Sequence, residues 1–75
     1  MIVSLDCVGL GCCCSVAAVE TDEGLKQKLR DFGLVPGTAL CPEYRSPGAH
    51  AVVLGFRGTM LALRTRDLKH IRVIV

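Results

Sequence analysis

Three consecutive cysteines, Cys12-Cys13-Cys14, are the residues in this 75-residue chain best suited to chemistry. On an extended strand Cys12 and Cys14 point the same way, and two thiolates on one face can hold a soft metal ion. A structural zinc site needs two more ligands. Cys7, Cys41, His50 and His70 are available, but none belongs to a ligand pair such as C-x-x-C. The plainer reading, cysteine as a small buried apolar residue, is preferred. Cys12 and Cys14 are thus the metal candidates of second choice, and no cofactor is expected. Five cysteines, three of them adjacent, do not suit a disulfide framework. Neighbouring cysteines meet disulfide geometry only with backbone distortion. Free thiols are expected, as in a reducing compartment.

Other chemistries find little support. His50 and His70 are isolated, and surface or hydrogen-bonded roles suit them better than metal binding. No Ser-His-Asp set, paired carboxylates or phosphate loop is present, and Gly9-x-Gly11 lacks the strand and third glycine of a nucleotide loop. A non-enzymatic protein is expected. The net charge of +2 is too small to drive nucleic-acid binding. Phe32, Tyr44 and Phe56 are too few and scattered for a base-stacking platform. The uncharged stretch from Cys7 to Val19 is too short and glycine-rich to span a membrane. Leu10-Gly11-Cys12 is similar to a lipoprotein cleavage box, but Asp6 precedes it where a basic region is needed. A cytoplasmic location without direct membrane insertion is expected.

The elements follow from pattern. Ile2, Val3, Leu5 and Val8 anchor a short extended or irregular opening. Cys12 to Glu20 reads as a strand, with Cys12, Cys14, Val16 and Ala18 on one face and Cys13, Ser15, Ala17 and Val19 on the other. Thr21 or Asp22 caps a helix over about residues 22–32, and Asp22 and Glu23 suit its positive end. Leu25, Leu29 and Phe32 fall on one stripe facing a core. Lys26, Lys28 and Arg30 cover the opposite surface. Gly33 ends the helix in the left-handed conformation, and Val35-Pro36-Gly37-Thr38 fits a type II turn. Thr38 to Arg45 is a strand in which Pro42 marks an edge or a bulge. Ser46-Pro47-Gly48 turns the chain into the strand from His50 to Phe56. Arg57-Gly58 turns it again into Thr59 to Arg64. A helical turn near residues 65–70 precedes a last strand through Ile71, Val73 and Val75. Many short strands with close turn signals make a small barrel in one domain, residues 1–75.

Lys28-Leu29, then Gly33-Leu34 and Pro36-Gly37-Thr38, then Ala62-Leu63-Arg64, then Ile71-Arg72-Val73, give an order of motifs that resembles the FeoA family. The resemblance covers nearly the whole chain. It departs at the opening Arg of the motif, here Lys28, at the hairpin Gly48-Ala49-His50-Ala51, and at Leu68 in place of an alanine. The three-cysteine run is no family hallmark. The resemblance implies a mainly β, small SH3-like barrel with one inserted α-helix. It also implies a non-enzymatic accessory or regulatory role in the cytoplasm beside FeoB, the membrane transporter of ferrous iron. A similar domain ends some iron-dependent repressors; a free-standing module is expected here.

Two placements for partner binding follow. Lys26, Lys28 and Arg30 suit an acidic surface. A small core combined with 51% apolar residues leaves apolar surface for another chain. The run Ala51-Val52-Val53-Leu54 has no charge to guard it, so Val52 and Val53 are expected to pair with FeoB or a second copy if that strand lies at an edge. A weak homodimer in concentrated solution is expected. The reading from another class is a thiol-based carrier or sensor of transition metals built on the Cys12–Cys14 cluster.

Overall fold

The computed structural model describes residues 1–75, the side chain of Ala49 excepted. Strand β1 (Ile2–Ser4) runs into a 3-10 turn (Leu5–Cys7), and β2 (Cys14–Val19) leads to helix α1 (Glu23–Phe32). Strand β3 (Ala39–Arg45), a second 3-10 turn (Pro47–Ala49), β4 (Ala51–Phe56) and β5 (Thr59–Arg64) follow. The chain closes with the single turn α2 (Thr65–Leu68) and β6 (Ile71–Ile74). The strands form one antiparallel sheet in the order β1-β6-β2-β3-β4-β5. Helix α2 packs on both β5 and the Leu5–Cys7 turn, so it bridges the two ends of the curled sheet.

Local chemistry sets these elements. The Asp22 carboxylate accepts the Leu25 N–H at 2.9 Å and caps α1. Gly33, at φ 95°, ends it, donating its N–H to the carbonyls of Leu29 and Arg30. The next turn is fastened from inside. Thr38 N–H reaches the Val35 carbonyl at 3.0 Å, and Gly37 takes φ 93°, as a type II turn requires. The Thr38 hydroxyl donates to the Gly33 carbonyl at 2.9 Å, so this buried polar side chain is satisfied. The Gly-Leu-x-Pro-Gly-Thr motif is thereby a device for joining a helix to a strand. Arg57 and Gly58, both at positive φ, form a two-residue turn between β4 and β5.

The core gathers Leu5, Val16, Leu29, Leu34, Leu40, Leu54, Ile71 and Val73, each nearly or wholly buried. Pro42 lies at a bulge, as expected: the β3–β4 register shifts between Pro42 and Tyr44. Three expectations need correction. Phe32 is 45% exposed, because α1 ends there and only Leu29 of the stripe is buried, with Leu25 beside it. Val19 joins Cys14 and Val16 inside, because a register shift between Val16 and Ala18 on the β6 side inverts the alternation. Val52 and Val53 do not lie at an edge. Strand β4 pairs with β3 on one side and β5 on the other, and Val52 is in the core.

Candidate functional site

The cysteines meet at the start of β2, though not as the strand pattern implied. Strand β2 begins at Cys14, so Cys12 sits in the preceding loop. Cys14 pairs with Leu40 and Ser15 with Ala39. Extending that register puts Cys13 opposite Cys41, with Cα atoms 4.3 Å apart, and the two form a disulfide. The physical reason is the pairing itself: facing residues at a non-hydrogen-bonded position approach within about 4.5 Å, within disulfide reach. The expectation of five free thiols is therefore wrong at Cys13 and Cys41. The missing signal was the register of two strands with a helix between them, which cysteine spacing does not carry.

Cys7, Cys12 and Cys14 remain free. Cys14 is buried, and burial pushes its thiol up from the ordinary value, with the neighbouring Cys12 thiolate adding to the effect. Cys12 is exposed. The two are neighbours, but one thiol faces the core and the other solvent. Cys7 lies apart, in a small polar cluster with Ser4 and Asp6. Among the described residues no group of three or more His, Cys, Asp or Glu side chains gathers as a metal site.

The three cations of α1 do not share one surface. Lys28 borders a hollow of about 150 Å³ formed by Leu25 and Leu29 of α1, Leu61 to Arg64 of β5, and Asp67. Lys26 and Arg30 border another, of about 180 Å³, on the side of Ala17, Val19, Leu34 and Pro36. Strand β5 ends the sheet, so the first hollow runs along an open strand edge. The two-residue turn turns the backbone N–H and C=O groups of Thr59, Leu61 and Leu63 toward β4, and those of Met60 and Ala62 outward. At the other end of the sheet, Met1, Ile2, Ile74 and Val75 leave apolar side chains exposed beside β1. His50 and His70 are exposed.

A curled six-stranded sheet with an inserted helix defines an SH3-like architecture. The chain belongs to the FeoA family: the FeoA domain model matches residues 3–75. A FeoA protein from Chlorobium tepidum superposes with a TM-score of 0.93 at 23% identity, covering 97% of this chain and 70% of that one. A FeoA-like protein from Clostridium acetobutylicum is 28% identical, with a TM-score of 0.83 over 99% of this chain and 86% of its own. Stenotrophomonas maltophilia FeoA, solved with zinc and described as an SH3 domain protein and candidate ferrous-iron transport activating factor, is 22% identical. Its TM-score is 0.82, over 96% of this chain and 89% of its own. No curated protein matches this chain in sequence. The family ties the chain to ferrous iron transport. Among the described residues no helix is long and apolar enough to cross a membrane.

Proposed function

We propose that this chain is a non-enzymatic accessory protein of FeoB-type ferrous iron transport, acting in the cytoplasm by binding the transporter's cytosolic part. The observation that carries this reading is the FeoA match over residues 3–75. The description of the S. maltophilia relative as a candidate activating factor for ferrous iron transport supports it. The docking face is α1 with the adjoining edge of β5. There Leu25 and Leu61 offer apolar surface, Lys28 and Arg64 offer positive charge, and the outward amides of Met60 and Ala62 offer hydrogen bonds. Lys26 and Arg30 extend the positive charge onto the neighbouring flank. Weak self-association uses the same open edge or the apolar end at Met1, Ile2, Ile74 and Val75, in place of Val52 and Val53.

The test is retention of the purified chain by the immobilised cytosolic part of FeoB from the same organism. The unaltered chain should be retained, and more weakly as salt rises. Reversing charge at Lys26, Lys28 and Arg30 together should weaken retention about tenfold or more, as loss of charge complementarity does. Failure of the unaltered chain to bind rejects the reading. Unchanged binding by the triple variant rejects the face.

A further inference from the structure

The sheet consists of two three-stranded halves, β1-β6-β2 and β3-β4-β5, and among the described residues their strands pair with each other only between β2 and β3. That seam is narrow. Its ladder holds two residue pairs, Cys14 with Leu40 and Ser15 with Ala39. Two backbone bonds extend it at one end, Val16 N–H to Thr38 C=O at 2.9 Å and Gly37 N–H to Val16 C=O at 2.8 Å. At the other end a single bond, Gly11 N–H to Pro42 C=O at 2.7 Å, remains. The Cys13–Cys41 disulfide spans the seam at this weaker end.

The disulfide is also within reach of solvent. Cys13 is exposed and Cys41 half-buried. Both line an open hollow of about 460 Å³ with Glu43, Phe56, Arg57 and Met60. Arg57 and Glu43 place one charge of each sign beside the bond. Neither cysteine belongs to the buried core, so opening the bond removes no core side chain.

We propose that Cys13–Cys41 is a thiol–disulfide exchange site for low-molecular-weight thiols of the glutathione class, and that its redox state sets how firmly the two half-sheets are joined. A thiolate attacks Sγ of Cys13, the more exposed of the two residues. A mixed disulfide forms there, the Sγ–Sγ bond breaks, and Cys41 leaves as a thiolate that takes a proton from water. A second small thiolate attacks the small-molecule sulfur of the mixed disulfide. It releases the small-molecule disulfide and the Cys13 thiolate, which is protonated in turn. Two electrons pass from two small thiols to the protein, and the small-molecule disulfide reverses both steps. In the dithiol state the core persists, and the seam rests on its two ladder pairs and flanking bonds.

The experiment equilibrates the full chain, without denaturant, in mixtures of reduced and oxidised glutathione of increasing ratio. Samples are quenched in acid, unfolded, alkylated and weighed, and parallel samples are read by amide hydrogen exchange. Three free thiols should be alkylated in the oxidised form, Cys7, Cys12 and Cys14, and five in the reduced form. The conversion should be reversible. Reduction should speed exchange at Gly11 and Val16 about tenfold or more while leaving Leu54 and Leu61 of the β4–β5 hairpin unchanged, as a local opening does. The double variant Cys13→Ser, Cys41→Ser should show the fast seam in every mixture, and chemical reduction of the unaltered chain gives the same comparison if that variant fails to fold. Three alkylated thiols even in reduced glutathione alone would overturn the exchange site. Unchanged seam amides after reduction, or hairpin amides accelerated as much as the seam, would overturn the local clasp.

Discussion

The β4–β5 hairpin and the β2–β3 seam are both antiparallel ladders, and they are built on opposite terms. The hairpin joins six residue pairs, from Ala51 with Arg64 to Phe56 with Thr59, across a two-residue turn. Val52, Leu54 and Phe56 on β4 and Leu63 on β5 point into the core. Its strands are neighbours in sequence, so closing it costs little chain entropy. The seam joins two residue pairs across a connection that contains the whole of α1. What the seam lacks in ladder it makes up in other bonds: the disulfide on one side and the Gly33-to-Thr38 turn on the other. One join is held by packing and register, the other by a covalent bond and a locked turn. The FeoA motif therefore acts where the sheet is thinnest.

The largest effect expected on this comparison is at Leu54, fully buried in the hairpin half. Leu54→Ala should cost about 2–5 kcal/mol through lost transfer energy and the cavity left behind. Urea denaturation measures it, and a loss below about 1 kcal/mol would mean that packing is not what holds the hairpin.

Removing the seam's covalent bond comes next. The disulfide closes a loop between residues 28 apart, and under oxidising conditions the double serine variant should lose about 3 kcal/mol. An equal urea midpoint for the double variant and the unaltered oxidised chain would show that the ladder alone carries the seam.

A smaller cost is expected at the seam's other fastening. An added Cβ at Gly37 meets no atom within 4 Å, so the penalty of Gly37→Ala is backbone strain at φ 93° without a clash. Gly33→Ala strains a φ of 95° in the same way, its added Cβ making only ordinary contact with the Arg57 side chain. Each should lose about 1 kcal/mol or more. Thermal melts that match the unaltered chain would reject the turn as a fastening.

The smallest effect concerns Cys14, whose thiol pKa burial raises. The folded chain keeps this proton at a pH where the unfolded chain gives it up. Its contribution to stability is complete below the ordinary thiol range and is lost as pH rises from there through the raised folded value. Stability should therefore decline with pH in the alkaline range, and less steeply in Cys14→Ala. Parallel slopes in urea denaturation at increasing pH would remove Cys14 as the cause.

Much of the fold was legible because it is local. The Asp22 cap, Gly33 in the left-handed conformation, the Pro36-Gly37 turn and the Arg57-Gly58 hairpin each depend on residues a few positions apart. The strands from Thr38 onward declared themselves by alternation and by their breakers. The helical turn expected near residues 65–70 forms at Thr65–Leu68. The candidate site was less legible. Lys26, Lys28 and Arg30 read as one surface on a helix, yet the body beneath α1 divides them, because β5 passes one flank and β2 the other. Val52 and Val53 read as an unguarded edge, since a run of residues shows its own polarity and not its neighbours.

By itself the sequence determined a mainly β domain with one helix, the points where its chain turns, and its family. Each of these is written in side-chain period, in residues that tolerate particular φ values, or in motif order. Only the tertiary structure decided that β6 inserts between β1 and β2, that β4 is interior, and that Cys13 faces Cys41. Those outcomes depend on which distant strands share hydrogen bonds. Strand pairing is chosen by the burial of the whole core, because the backbone amides of one strand fit those of any other.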